Sequence, residues 1–444
     1  MDVYQIPKLF YPHIPKVSSR WKRALELKKM HYWPQAKIDE YIEEKKKNVL
    51  RHAATKVPYY ANIFRERGWN PECAEKYWAE WPILTQELLQ THRDEILSTD
   101  TTAEDMVLDA SGGSSGLVKT FYHAPEYKSY SLSSAYHTDS IAGWTPGCKT
   151  AYLWAAPCDT KEHLGIFPRM KSFLQNIKLY DSFDMGEAQM EKFHHDLSLF
   201  RPEVIIGIAG SVFQMARFLK ERGVTPSYPS KGIVTSAETL TEEMRSMIES
   251  VFGPIIFNRY GCREVGLIAF EDEAHSGLHI DFPGNLVEVC EPNTTNAIWN
   301  QEGDILITTL TQTLFPLIRY QVGDMAIQTH EKCSCGRNSP ILSKVSGRNS
   351  DFITATNGRR IHGEYFSHIL RVGEKIRQYT VIQSKTNFIR IELVLSEPFT
   401  EQEHKKIIDE FCNTLGKDMK IEFKEVDHIP PLPSGKRRFV ISLL

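Results

Sequence analysis

Between about residue 105 and residue 330, short β-branched or apolar runs alternate with helical segments, and this alternation constrains the fold more than any other feature of the chain. The runs TAYLWAA, EVIIGIA, GIVTS and IIFNRY are interleaved with SVFQMARFLKERG and TEEMRSMIESVFG. A strand parallel to its predecessor needs a crossover, usually a helix, so the order predicts a mostly parallel sheet covered on both faces. The later stretch DILITTLTQTLFPLIRYQVGDMAIQTH predicts further, antiparallel strands. Upstream, residues 36–67 carry apolar residues at helical spacing interrupted at Pro58, which predicts two helices about a VPYY turn. Downstream, DFITA leads into Asn357-Gly358, a strong hairpin signal, followed by QYTVIQSK, FIRIELVL, a helical EQEHKKIIDEFCNTLG and a last strand, IEFKEV. The expected fold is α/β: a body over residues 1–346 with mixed and parallel sheets and helices, and a small α+β C-terminal lid over 347–444, hinged near 347–351. A chain of 444 residues exceeds what one hydrophobic core supports, in keeping with two units.

Composition excludes several classes of function. Charged residues make up 25% of the chain and the net charge is −3, with no basic stripe to neutralise a phosphate backbone, so nucleic acid is not an expected partner. No run of about 18 apolar residues is present, so no membrane partner is expected. The first residues, MDVYQIPKLFYPHIPKVSS, lack the apolar core and cleavage residues of a secretory signal, so the expected location is the cytoplasm. In that reducing compartment the eight scattered cysteines are expected as thiols. Only Cys333 and Cys335 sit close enough in sequence to share a task.

Four segments carry candidate chemistry. Asp109-Ala110-Ser111-Gly112-Gly113-Ser114-Ser115-Gly116 lies between two β-like runs, and its glycines and hydroxyls suit the cradling of a polyphosphate. A flexible turn is the plain alternative. Two other readings compete for this loop. A Walker loop needs glycine before its lysine, but Val118 precedes Lys119. A serine-hydrolase elbow on Ser114 matches the spacing Gly-x-Ser-x-Gly, yet requires a helix where LVKTFYHAP looks extended. In Asn258-Arg259-Tyr260-Gly261-Cys262-Arg263-Glu264-Val265-Gly266, an aromatic ring and a carboxylate near a strand end could stack a base and hold Mg²⁺. The turn at Gly323-Asp324 offers a carboxylate to a ribose diol. Near the C-terminus, Pro430-Pro431-Leu432-Pro433-Ser434-Gly435 stiffens the approach to Lys436, whose ammonium would stabilise charge developing at a phosphate.

In this order the segments resemble the adenylate-forming superfamily, within it the branch of phenylacetate-CoA ligases and capsular-polysaccharide adenylating proteins. LRHAATKVPYYANIFRERG, WPILTQELLQ, SGGSSG, VTSAETLTEEMR, RYGCREVG, DILITTL with FPLIRYQVGD, SGRNSDFI and PLPSGKRRF span nearly the whole chain. The resemblance implies an ATP-dependent, AMP-forming ligase that activates an aryl or small carboxylic acid as its acyl-adenylate and passes it to coenzyme A or an amine. It implies that Ser111, Gly112, Gly113, Ser114, Ser115 and Gly116 enclose the β- and γ-phosphates. Ser236, Ala237, Glu238 and Tyr260 would border adenine, Gly261 would belong to the same cofactor site, Glu264 would hold Mg²⁺ and Asp324 the ribose. Arg348 would support ribose or phosphate near the hinge, and Lys436 would be the adenylation lysine delivered by the lid. Expected partners are the acid, ATP, the CoA or amine acceptor and a second copy of the chain in a homodimer. Three positions depart from the pattern: Leu117-Val118 replaces Lys-Pro, Ser350 stands at the usual acidic hinge position, and Thr354–Gly358 lacks a glycine pair. A non-catalytic nucleotide-binding protein remains a contrasting reading.

Cys333-Ser334-Cys335-Gly336 is also a candidate chelating turn, with Asp272, His275 and His279 in EDEAHSGLHI as further ligands. Structural zinc takes about four such groups, so the two segments must meet in space to hold it; buried thiols without metal are the alternative.

Overall fold

The computed structural model describes residues 5–112, 118–154, 172–182, 185–348, 352–362, 365–366, 369–370, 375–430 and 439–444. The chain divides into two compact units, Met1–Val345 and Ser346–Leu444.

The larger unit opens with helices at Gln5–Phe10, Pro15–Met30, Gln35–Lys56 and Pro58–Arg67. The segment 36–67 is divided at Val57, because Pro58 cannot continue the ladder of the helix before it and instead begins the next. That second helix ends at Gly68, whose φ of +66° supplies a left-handed cap.

Strands β1 (Val107–Gly112) and β2 (Val118–His123) form a separate antiparallel hairpin. The main sheet takes β3 (Thr150–Trp154), β4 (Ile177–Asp181), β5 (Val204–Ile208), β6 (Gly232–Ser236), β7 (Ile256–Cys262), β8 (Gly266–Glu271), β9 (Leu278–Ile280), β10 (Asn285–Cys290), β11 (Glu302–Thr309), β12 (Tyr320–Thr329) and β13 (Ile341–Arg348). Their order is β10-β11-β12-β13-β9-β8-β7-β6-β5-β3-β4. From β4 through β7 every pairing is parallel, and every residue of β5 and β6 is buried, as a doubly covered sheet requires. Helices Ala209–Glu221 and Glu242–Phe252 pack on this part, the second begun by Thr241, which accepts from the Met244 amide. At β7 the sheet turns antiparallel. The RYGC motif lies inside β7, which runs on to Cys262 and pairs with β8.

The smaller unit has its own core, around Ile353, Phe366, Val381, Ile389, Ile391, Phe411 and Leu415. β14 (Phe352–Thr354) and β15 (Arg360–His362) form a hairpin around Asn357-Gly358, where Gly358 takes φ +84°. β16 (Ile376–Lys385), β17 (Phe388–Leu395), β18 (Lys420–Glu425) and β19 (Val440–Ser442) form a sheet ordered β18-β17-β16-β19. The helix Glu401–Leu415 starts in a capping box between Thr400 and Glu403. Among the described residues no helix is long and apolar enough to cross a membrane.

Candidate active site

The site of the larger unit is framed by two hairpins. In the first, Gly112 pairs with Val118, so the glycine- and serine-rich segment closes the β1–β2 end. Gly113, Ser114, Ser115 and Gly116 lie outside the described residues, as does the side chain of Ser111. Strand, loop and antiparallel strand is the wrong order for the two competing motifs. Both the Walker loop and the hydrolase elbow need a helix directly after the loop, and β2 stands there instead.

A two-stranded hairpin is marginal by itself, so its position depends on what holds it. Gln90 donates from Nε2 to the Thr120 carbonyl at 3.1 Å and accepts the Thr120 N–H at Oε1 at 3.0 Å, acting as an extra strand partner. Arg93 Nη1 donates to Thr120 Oγ1 at 2.7 Å. One residue earlier, Lys119 donates to Gln86 Oε1. Gln86 Nε2 donates in turn to the Val322 carbonyl at 2.6 Å; Gly323-Asp324, expected as a turn, lies inside β12, where its pairing with β11 shifts register. Gly323 has φ +89°, and a Cβ there would sit 3.0 Å from Gln86 Nε2, so this irregular position of β12 requires glycine.

The second hairpin is β7–β8, with Glu264 buried at its turn. A Cβ on Gly261 would lie 2.5 Å from the Gly266 carbonyl oxygen, so only glycine allows this close crossing. Tyr260 Oη donates to Asp324 Oδ2 at 2.7 Å, and Tyr320 Oη donates to Glu264 Oε1 at 3.4 Å. β7 and β12 stand four places apart in the sheet, about 19 Å if it were flat. The antiparallel half must therefore curl strongly to bring Tyr260 to Asp324.

Beside these hairpins, β5 and β6 end in the segments that carry Gly210 and Ser236-Ala237-Glu238. Ser236 is buried. Ala237 takes φ +70°, an uncommon conformation for a residue with a Cβ and of the kind that clusters at functional sites. Glu238 Oε2 accepts the Gly210 N–H at 2.9 Å, at the N-terminus of helix Ala209–Glu221, where a carboxylate is favoured by the helix dipole. The carboxyl ends of parallel strands are where open α/β sheets bind ligands. Tyr260, Gly261, Glu264 and Asp324 thus gather around the β7–β8 hairpin. Arg348 ends β13, its side chain outside the described residues, and Lys436 lies outside them altogether.

A second cluster forms where the β8–β9 connection meets the β12–β13 connection. Ligand atoms of Asp272, His279, Cys333 and Cys335 all lie within 4.8 Å of one another. Asp272 Oδ2 is 3.0 Å from His279 Nε2 and 3.3 Å from Cys333 Sγ, and Cys335 Sγ is 3.4 Å from His279 Nε2. His279 Nδ1 is 2.9 Å from Ser339 Oγ, which orients the ring. Arg337 Nη1 donates to Asp272 Oδ2 at 3.1 Å. Expected His275 is not in this cluster: its Nδ1 lies 3.1 Å from Glu271 Oε1 and its ring stacks on Phe257. Its backbone is left-handed at φ +51°, in the turn leading to β9.

Sequence reasoning missed His123, Gln86, Gln90 and Tyr320. Gln86 and Gln90 lie in the quoted segment TQELLQ, where their four-residue spacing on one helix face toward β2 was the available signal.

Residues 353–443 match the family model described as CapK C-terminal domain. The chain is 23% identical over 439 residues to a phenylacetate-coenzyme A ligase of Thermus thermophilus, covering 92% of this chain and 97% of the relative. It is 23% identical over 365 residues to Protein CapK of Staphylococcus aureus, covering 81% and 79%. Among solved structures, 2-hydroxyisobutyryl-CoA ligase in the postadenylation state in complex with R3-HIB-AMP aligns with a TM-score of 0.70 at 17% identity, over 92% of this chain and 90% of that one. The anthranilate CoA ligase AuaEII in complex with anthranoyl-AMP aligns with a TM-score of 0.54 at 14% identity, over 77% and 67%. In its two-unit fold and along nearly its whole length the chain is thus similar to the phenylacetate-CoA ligases and CapK, and residues 353–443 match the CapK C-terminal domain.

Proposed function

We propose that the chain is an AMP-forming ligase that activates a carboxylic acid with ATP and transfers the acyl group to coenzyme A. The observation that carries this reading is the meeting of Tyr260, Glu264 and Asp324 beside the hairpin that bears the hydroxyl-rich loop. The Thermus relative that matches along 97% of its own length is named for this reaction, and the 2-hydroxyisobutyryl-CoA ligase was solved with an acyl-AMP and also with an acyl-AMP and CoA together.

In the first half-reaction an oxygen of the acid attacks the α-phosphorus and the bond to the bridging oxygen breaks, releasing pyrophosphate. The loop Ser111–Gly116 cradles the β- and γ-phosphates, Asp324 takes the ribose hydroxyls, and Ser236, Ala237, Glu238, Tyr260 and Gly261 border adenine. Glu264 is a buried carboxylate, a hard oxygen donor that fits Mg²⁺, and the ion when bound there would neutralise phosphate charge. Lys436 completes the charge stabilisation from the smaller unit. In the second half-reaction the thiolate attacks the acyl carbon and AMP leaves with the oxygen that came from the acid. Rotation of the smaller unit near Arg348 withdraws Lys436 between the two steps. The pocket for an aryl or small acid lies at the ends of β5 and β6 beside the helix Pro125–Asp139. Lys436→Ala is expected to abolish acid-dependent ATP–pyrophosphate exchange while sparing transfer from preformed acyl-AMP; equal loss of both contradicts the assignment.

The second cluster fits a structural zinc ion. One carboxylate, one imidazole and two thiols make a four-ligand set whose atoms all lie within 4.8 Å of one another, and three of the six separations, 3.0–3.4 Å, approach the roughly 3.3–3.8 Å edges of a tetrahedron with zinc–ligand bonds of about 2.0–2.3 Å. Asp272, His279, Cys333 and Cys335 would hold the ion and pin the β8–β9 connection to the loop before β13.

A further inference from the structure

The β1–β2 hairpin is outside the main sheet, yet among the described residues each of its two strands is tied to Arg263, in the turn that carries Glu264. From β1, Asp109 Oδ1 lies 3.6 Å from Arg263 Nη1. From the last residue of β2, His123 Nε2 lies 2.9 Å from the Arg263 carbonyl oxygen. A carbonyl only accepts, so Nε2 carries a proton. The other ring nitrogen, Nδ1, is 2.9 Å from Gln312 Oε1, which also only accepts because Gln312 Nε2 donates to the Phe315 carbonyl at 2.9 Å, so both contacts are hydrogen bonds when the ring carries a proton on each nitrogen. His123 is 3% exposed and Gln312 1%, so neither has water as a substitute partner.

The turn itself has little room to shift. His123 stacks on Tyr127 with ring centroids 4.8 Å apart. Tyr127 Oη stands 2.9 Å from where a Cβ of Gly266 would lie, and Gly266 needs its φ of +68°. The carbonyl held by His123 belongs to the residue directly before Glu264, so the rotation of that peptide sets where the carboxylate is presented.

Building on the ligase reading above, we propose that His123 is a positioning residue of the nucleotide site: its Nε2–H, given to the Arg263 carbonyl, locks the phosphate hairpin and the Glu264 turn into one body. The β1–β2 hairpin and the Glu264 carboxylate are then held at a fixed separation on the nucleotide site. Loss of the bond weakens the cooperation between ATP and Mg²⁺ rather than the binding of ATP alone.

The test is ATP binding by calorimetry, with excess Mg²⁺ and with EDTA, on the full chain and on His123→Gln and His123→Asn, with melting temperatures for each. Glutamine can place a donor where Nε2 stands; asparagine reaches only the Nδ1 position. In the wild type, Mg²⁺ tightens ATP binding. H123N is expected to lose about tenfold of that gain, as one buried hydrogen bond implies, with ATP–EDTA affinity unchanged within about twofold. H123Q is expected to keep the gain. Equal weakening with and without Mg²⁺, no weakening in H123N, or a loss in H123Q as large as in H123N would each overturn the proposal. Should H123N not fold, Gln312→Met carries the test, since it frees the ring to rotate: a smaller Mg²⁺ gain supports the proposal and an unchanged gain overturns it. A wild type that binds no ATP would overturn the ligase reading, and the inference with it.

Discussion

Gly210→Ala should change the sign of its effect on stability according to what stands at position 238. A Cβ on Gly210 would lie 2.5 Å from Glu238 Oε2, and its three nearest neighbours would all be atoms of that carboxyl group, so the carboxylate must swing away. That movement breaks the 2.9 Å bond from the Gly210 N–H. A hydrogen bond to a charged group contributes about 1.5–3 kcal/mol, and a carboxylate at a helix N-terminus about 0.3–1 kcal/mol. Glu238 is half-buried, which favours the lower ends of both ranges. Against this, alanine is better than glycine in a helix by up to about 1 kcal/mol. The net expectation is a destabilisation of about 1 kcal/mol, a fall of roughly 2 °C in the melting temperature of a unit this size. In a Glu238→Ala background the obstructing carboxylate is gone and only helix propensity remains, so Gly210→Ala should stabilise by about 0.5–1 kcal/mol. Calorimetric unfolding of the two single variants and the double variant reads this directly. The same sign in both backgrounds would refute the argument that Glu238 is fixed by the helix it caps.

Two further outcomes are expected. Protein prepared without added zinc should carry about one zinc per chain and lose melting temperature when chelated, whereas metal-free, fully stable protein would leave Cys333 and Cys335 as plain thiols. Burial pushes the His137 imidazole down to about 3, so the unfolded chain binds its proton first as pH falls below 6.5. Stability present above pH 6.5 is therefore lost progressively toward pH 3, about 1 kcal/mol of it by pH 5.5. His137→Phe should flatten this slope in pH-dependent unfolding; an unchanged slope would assign the acid sensitivity elsewhere.

How much of this was legible in the sequence depends on the kind of contact involved. The alternation of β5, the helix Ala209–Glu221, β6, the helix Glu242–Phe252 and β7 follows from periodicity, which local chemistry writes directly into the chain. Pro58, Thr241 and Asn357-Gly358 likewise mark their own boundaries. The meeting of Tyr260 with Asp324 was anticipated only through the resemblance, since no local pattern encodes how far the antiparallel half of the sheet curls. His123 left no signal at all: its partners are a backbone carbonyl 140 positions away and a glutamine 189 away, and neither spacing has a period. The separation of His279 from His275 is also conformational. His279 sits in β9, where alternation places its side chain beside the Cys333–Cys335 loop, whereas His275 lies in the preceding turn at a left-handed φ.

In the proposed first half-reaction the acid's own oxygen becomes bonded to the α-phosphorus. The direct measurement uses a carboxyl-¹⁸O acid, chosen as one that supports ATP–pyrophosphate exchange, incubated with ATP, CoA and the full chain, with mass analysis of the AMP and phosphate formed. One ¹⁸O atom per turnover in AMP is the expected result. Label in inorganic phosphate, or unlabelled AMP formed alongside acyl-CoA, would contradict it.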